Sequence, residues 1–446
     1  MVTFGVLARS IGADGLGHYR TVLTLLLFAG VLFDFGLYSI TLRELAQRNG
    51  NASRVLANAV GLRVTATACA VTLLWLLLRA GEYYDETVRI GVLVAGVGWV
   101  GYQLNDLLRA VFQEKLAKHR GAIAETAGAL LALTIIAVLA RLHAGTVPML
   151  AATAAGLLCT AALSWWYSNQ LIPFRLQMEW RVWRELIVAG LPIAGSVLLL
   201  NIQLRADVLL LSLLRDAQQV GLYDAPLKLY ELLFVVTYLF GGMMMPLFVR
   251  DLAVGGGAFA ARLSAAIGAS ALVSALAFGA LFVHAESVVA LLAGAGFEDA
   301  ADPLRILAAS ALFAGVSAIL RFAATALHQP GRMLRVDAIG VSAAIVAHVI
   351  LIPRYGVVGA ALGKLCGDVV TSMAALLTLR QQLTRGIFGA TILACIGGVA
   401  LITALNGATY IGVHWMPSMV IGTALIGGAL LLVPQVRHSL KALAAA

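Results

Sequence analysis

Apolar runs of roughly 20 residues recur along almost the whole chain, and they leave it little choice of backbone. That is the length a helix needs to cross a hydrocarbon core of ~30 Å. Inside that layer no water satisfies an unpaired N–H or C=O, so each such run is read as a membrane-crossing α-helix. The stretch from Gly190 to Asp251 is representative: two long apolar runs joined by the polar turn at 215–219. Each run nevertheless carries charge, Arg205 and Asp207 in the first, Lys228 and Glu231 in the second. A charge near the bilayer centre costs about 2.5–3.5 kcal/mol on insertion scales, so such residues face a partner or a wet cavity.

Composition agrees. Of 446 residues 61% are hydrophobic and 12% charged, which excludes the soluble globular classes. The expected fold class is an all-α polytopic membrane protein. Apolar runs predict spans at about 1–12, 19–41, 55–78, 88–111, 121–141, 147–168, 186–214, 219–248, 260–283, 303–327, 334–352, 356–379, 387–405 and 412–433. The first is too short for a full crossing, so the numbered chain is expected to lack part of its first helix. Cys69, Cys159, Cys366 and Cys395 all lie in apolar runs, without metal-ligand or disulfide spacing.

Alternate loops differ in charge. One set holds Arg43, Arg48 and Arg54, then Lys115, Lys118 and Arg120, then Arg175, Arg181 and Arg184, and so on to Arg437 and Lys441 in the tail. The other set is acidic or sparse: Asp14, then Glu82, Asp85 and Glu86, then Asp216, then Glu286 to Asp302. Excess Lys and Arg marks cytoplasmic loops, so both termini are expected in the cytoplasm and the number of spans even, with the short first one counted. The net charge of +9 therefore reports topology and no affinity for nucleic acid.

The chain also repeats. Gly17 and Tyr19 match Gly221 and Tyr223; Arg43-Glu44-Leu45-Ala46 matches Arg250-Asp251-Leu252-Ala253; Leu158-Cys159 matches Leu365-Cys366; Glu125 falls near the register of Asp337. The common offset, about 205–210 residues, equals six spans. Six is even, so the halves share an orientation, as in parallel repeats. The expected organisation is a six-span lobe over 1–170, an interfacial cytoplasmic linker over 171–185, a second six-span lobe over 186–380 and an extra helix pair over 386–436. The linker interleaves Trp180 and Trp183 with Arg175, Arg181 and Arg184, a mixture suited to a membrane surface.

Ionisable residues within spans are the candidate functional positions. Arg205 shares a face with Asn201, four residues earlier, whereas Asp207 lies about 200° round the helix from Arg205. Asp224, Lys228 and Glu231 form one stripe, and Lys364 and Asp368 an i,i+4 pair. Arg63 and Arg321 are cations with no opposite charge one turn away, and Asp34 is a solitary carboxylate in LFDFGL. At least two of Arg63, Arg205, Lys228, Arg321 and Lys364 are expected to line one central cavity, with Asn201 beside them. Asp34, Asp207, Glu231 and Asp368 are the candidate coupling or pairing carboxylates. Arg109, Glu125 and Asp337, near expected cytoplasmic helix ends, read as structural ion pairs or snorkelling residues. No nucleotide-binding loop, metal-ligand cluster or catalytic-length external loop occurs, so the chain reads as a transporter without cofactor rather than an enzyme.

Leu191-Pro192, Arg205-x-Asp207 followed by Leu209 to Leu211, Val220-Gly221-x-Tyr223, Lys228 and Pro246 resemble the Wzx-type polysaccharide-biosynthesis flippases of the MOP exporter superfamily. GADGLGHYR with LFDFGL and LREL, and the block from Ile352 to Val370, agree with the same resemblance. It implies a V-shaped, MATE-like pair of six-helix lobes in the bacterial inner membrane. It further implies movement of undecaprenyl-diphosphate-linked oligosaccharide between leaflets by alternating access, alongside polysaccharide polymerases and glycosyltransferases. Cavity cations would suit the diphosphate. The alternative is a cation-coupled multidrug-type exporter of the same superfamily, for which Asp34 and Asp106 are the deep first-lobe carboxylates.

Overall fold

The computed structural model describes residues 2–47, 52–81, 83–255 and 257–382. These are almost wholly helical, as lipid requires of the backbone. In order they form α1 (Val2–Leu32), α2 (Leu37–Ala46), α3 (Ala52–Ala80), α4 (Glu86–Glu114), α5 (Lys118–Arg141), α6 (Thr146–Leu171) and α7 (Trp180–Leu214). Then follow α8 (Ala217–Val254), α9 (Gly257–Val283), α10 (Ala285–Ala293), α11 (Ala301–Ala326) and α12 (Pro330–Thr378). Among the described residues nine helices are long and apolar enough to cross a membrane. The helix pair expected at 386–436 lies outside the described residues.

Two long elements are each a pair of helices meeting at a glycine. Gly12 in α1 has φ 66° and Gly356 in α12 has φ 55°, backbone that a residue with a Cβ adopts only at a cost. These breaks fall where the short first span ends and where the expected spans 334–352 and 356–379 meet. The expected span 19–41 is corrected. It is interrupted at Phe33–Gly36, with Phe35 and Gly36 both at positive φ, because the Asp34 carboxylate accepts the Gly36 N–H at 2.9 Å and holds a turn. The expected boundary near residue 186 also moves: α7 begins at Trp180.

The chain divides into two compact units, Met1–Gly221 and Leu222–Ala446. In the first, α4 packs against α3 and α6, α5 against α6, and α1 against α4 and α7. In the second, α11 packs against α9 and α12. The division falls inside α8, beyond the linker expected at 171–185.

Both units use the same close crossing. In the first, Gly128 and Ala132 of α5 lie against Gly156 and Thr160 of α6; a Cβ on Gly128 would collide with Thr160 Oγ1, and one on Gly156 would stand 2.6 Å from the Gly128 carbonyl. In the second, Gly340 and Ala344 of α12 meet Gly367 and Thr371 beyond its kink; a Cβ on Gly340 would collide with Thr371 Oγ1, and one on Gly367 would stand 2.6 Å from the Ala344 methyl. Thr160 and Thr371 each return their hydroxyl to the carbonyl four residues back, at 3.1 and 2.8 Å. Apolar helices in lipid gain nothing from burying apolar area, so close backbone approach carries the association.

The repeat also appears in ion pairs. Arg109 of α4 lies 3.9 Å from Glu125 of α5, and Arg321 of α11 pairs with Asp337 of α12 across the same sequence separation. The shared Gly-x-Tyr has its own packing role inside the first unit. A Cβ on Gly17 would strike the Ala217 carbonyl, and one on Gly221 would strike that of Ala13, a reciprocal contact between repeat-related residues.

The glycine crossings generate a test. Gly128→Val and Gly340→Val each overpack a backbone contact and are expected to cost about 1–3 kcal/mol, read as a lower melting temperature of the purified protein. Gly145→Ala, where a Cβ meets nothing within 4 Å, should leave the melting temperature unchanged.

Candidate functional site

The first unit contains a buried guanidinium held on all sides. Arg63 of α3 is 1% exposed. Its Nη1 donates to the Asp34 carboxylate and, at 3.3 Å, to the Asp34 carbonyl. Its Nη2 donates to Asp106 Oδ2 of α4 at 3.0 Å, and its Nε to the Gln103 carbonyl at 3.2 Å. The turn at Phe33–Gly36 presents both the carboxylate and the carbonyl of Asp34 to Arg63; that carbonyl also accepts the Leu37 N–H at 3.1 Å. The planar fork of arginine suits such multiple capture; a lysine ammonium would not reproduce it.

From Asp106 the network continues outward. Arg109 lies 3.5 Å from Asp106 and 3.9 Å from Glu125. Asn105 donates to Glu125 at 3.3 Å and accepts from the Ser164 hydroxyl of α6 at 2.6 Å. The chain of contacts thus joins the turn after α1 to α3, α4, α5 and α6. Asp106 is the more open of the two carboxylates on Arg63, 31% exposed against 14% for Asp34.

The second unit has its own polar centre. Tyr230 of α8 donates to Asp368 Oδ2 of α12 at 2.7 Å, and Ser310 of α11 donates to the same oxygen at 2.6 Å. Lys364, one turn before Asp368, places its ammonium 5.0 Å from the centre of the Tyr230 ring, a cation–π contact. Lys364, Asp368 and Tyr230 are all buried. Elsewhere in this unit Lys228 pairs with Glu231 at 3.1 Å, and Arg321 with Asp337.

The candidate residues are thereby sorted. Arg63 and Asp34, solitary along the sequence, hold one another, with Asp106 as third member. Arg321 likewise finds its carboxylate on another helix. Lys228 and Glu231 pair within their stripe. Arg205 and Asn201 are half-buried on α7, whereas Asp207 is buried with Oδ1 accepting the Val208 N–H at 2.8 Å, consistent with their lying on different faces. Arg63, Asn201, Arg205 and Asp207 stand in the first unit, and Lys228, Glu231, Arg321, Lys364 and Asp368 in the second. Tyr230, Ser310, Asn105 and Ser164 escaped the sequence reading, because polar neutral residues are common in helices and only tertiary contact reveals their partners.

Helices of membrane length, close small-residue crossings and buried ion pairs define a polytopic membrane protein. Its fold is shared with solved flippase and multidrug-transporter structures. The lipid II flippase MurJ in an inward closed conformation superposes with TM-score 0.80 at 11% identity, over 97% of this chain and 94% of that one. An inward-facing multidrug resistance MATE family transporter of the MOP superfamily gives TM-score 0.64 at 16% identity, over 86% and 94%. The MATE transporter VcmN of Vibrio cholerae gives 0.52 at 16% identity, over 85% and 94%. By sequence, the chain belongs to the polysaccharide biosynthesis protein family, whose model matches residues 1–251. No curated protein matches it.

Truncating Arg63 strands two carboxylates in a partly dry site, so Arg63→Met is expected to destabilise the protein by about 3–5 kcal/mol. Combining Arg63→Met with Asp34→Asn and Asp106→Asn should recover much of that loss. Thermal melting of the single and triple variants checks both, and equal melting of Arg63→Met and wild type would refute the clamp.

Proposed function

We propose that this protein is a flippase for polyprenyl-diphosphate-linked oligosaccharide, a polysaccharide or O-antigen repeat unit, working by alternating access in the bacterial inner membrane with both termini cytoplasmic. The observation that carries the reading is membership of the polysaccharide biosynthesis family across all of the first unit and most of α8. The fold it shares with a lipid II flippase is consistent with that reading.

The diphosphate is the part of such a substrate that most needs protein help. Leaving water, it requires charge-assisted hydrogen bonds in exchange. Arg63 is committed to Asp34 and Asp106, and Arg321 to Asp337, so their role is to fix helices around the path. We assign contact with the diphosphate during its passage to Arg205 in the first unit and, separately, to Lys364 in the second. Arg205 is half-buried on the long α7, and the Lys364 ammonium is held on the Tyr230 ring. Asn201, one turn from Arg205, suits a sugar hydroxyl or phosphate oxygen. The remaining division, six spans, linker, six spans and a final pair, belongs to the same proposal, as does association with polymerase and glycosyltransferases.

The second reading is a cation-coupled multidrug-type exporter, for which the MATE-like fold speaks. Against it stands Arg63: its guanidinium already occupies the space between Asp34 and Asp106 that a first-unit coupling cation would need.

The deciding measurement is leaflet-resolved accumulation of lipid-linked sugar in cells lacking the protein. Diphosphate-linked oligosaccharide should build up facing the cytoplasm. Wild type should clear it, and Arg205→Ala or Lys364→Ala should not, although both variants insert normally. An unchanged lipid-linked pool, with dye efflux that depends on Asp34, would favour the second reading.

A further inference from the structure

Between α6 and α7 the chain runs without helix from Pro173 to Glu179 and is strapped across the start of α3. Ser53 donates to the Pro173 carbonyl at 2.6 Å. Asn58 accepts the Glu179 N–H at 2.7 Å, and Arg54 Nε donates to Glu179 Oε1 at 2.9 Å. Gly61 lets the Gln177 carbonyl approach to 2.6 Å from where a Cβ would stand. Phe174 turns inward onto Trp165, with ring centres 4.8 Å apart. The strap is therefore built into the first unit.

Its outer side is unusual in composition. Leu176, Met178 and Trp180 are 54%, 68% and 73% exposed, and the exposed Arg175 on one side and Arg181 and Arg184 on the other flank them. The acidic residues nearby are spoken for. Arg54 holds Glu179, whose pKa it depresses through that hydrogen bond, and Arg181 lies 3.4 Å from Glu185. Arg175 and Arg184 have no carboxylate partner among the described residues. The strap leaves directly from the end of α6 and crosses the beginning of α3, so it lies where two membrane-length helices emerge from the apolar layer. At that depth apolar side chains meet the acyl–glycerol border and guanidinium groups meet phosphate.

We propose that residues 173–184 form a binding site for anionic phospholipid headgroups. Leu176, Met178 and Trp180 enter the border of the acyl layer while Arg175, Arg181 and Arg184 contact the phosphates. In the orientation proposed above this is the cytoplasmic leaflet, but the site itself rests only on the chain spanning a membrane. Because Trp180 opens α7, a headgroup held here also fixes the start of the helix that carries Arg205.

The test uses the full chain in mild detergent, offered equal amounts of phosphatidylglycerol and phosphatidylcholine, with retained lipid counted by native mass spectrometry. Wild type should retain phosphatidylglycerol preferentially. Arg175→Gln/Arg181→Gln/Arg184→Gln should lower that preference by about tenfold or more, while the corresponding triple Lys variant keeps most of it. A triple Gln variant that melts like wild type and keeps the full preference overturns the proposal. If that variant fails to fold, brominated lipids decide in bilayers. Brominated phosphatidylglycerol should quench wild-type tryptophan fluorescence more than brominated phosphatidylcholine, and Trp180→Phe should remove the excess. Equal quenching by the two lipids, as expected if an acidic protein surface covers the strap instead, also overturns it.

Discussion

A positive charge inside an apolar layer must be answered, and the first unit is arranged around the answer given to Arg63. Arg63 is the largest fully buried side chain among the described residues. Holding it requires two carboxylates and two backbone carbonyls, from Asp34 in one place and from Gln103 and Asp106 of α4 in another. One of those places is the turn at Phe33–Gly36, which breaks a helix in the apolar region. A helix break is costly in lipid unless its polar groups are satisfied, and here the Asp34 carboxylate accepts the Gly36 N–H while its carbonyl accepts from both Leu37 N–H and Arg63. Charge, broken helix and partner helices are thus one device, and removing any part exposes the cost of the others.

The two units repeat chemistry as well as sequence. A Gly-x-x-x-Ala face meets a Gly-x-x-x-Thr face in each, and an Arg–carboxylate pair ties the preceding helix to the same crossing. Such crossings let backbones approach closely where hydrophobic driving force is absent. What is not repeated is the polar centre. The first unit buries a doubly paired arginine, while the second buries a lysine on a tyrosine ring beside an aspartate that accepts two hydroxyl groups. The frame is repeated, and the chemistry set on it is not.

Much of the fold was legible in the order of residues. The all-helical class follows from apolar runs. The breaks at Gly12 and Gly356 were anticipated from where those runs stop, and the repeat from Gly17, Tyr19 and Cys159 with their matches. The interruption at Phe33–Gly36 was not anticipated, although Asp34, Phe35 and Gly36 are turn-forming neighbours, because the run around them stays apolar on average. The small-residue crossing was equally readable: Gly128, Ala132, Gly156 and Thr160 recur as Gly340, Ala344, Gly367 and Thr371. What hides it is that glycine and alanine are abundant everywhere in this chain.

The candidate site divided differently. Sequence alone determined that Arg63, Arg205, Lys228, Arg321 and Lys364 would need partners or water, since that follows from the free energy of a charge in hydrocarbon. It also determined Lys228 with Glu231, because residues three apart on a helix are neighbours whatever surrounds them. Only the tertiary structure decided that Arg63 belongs to Asp34 and Asp106, Arg321 to Asp337, and Asp368 to Tyr230 and Ser310. Helical periodicity orders contacts within one helix and is silent on which helix comes alongside. That choice is made by the glycine crossings and buried polar groups acting together, over separations that no local pattern spans.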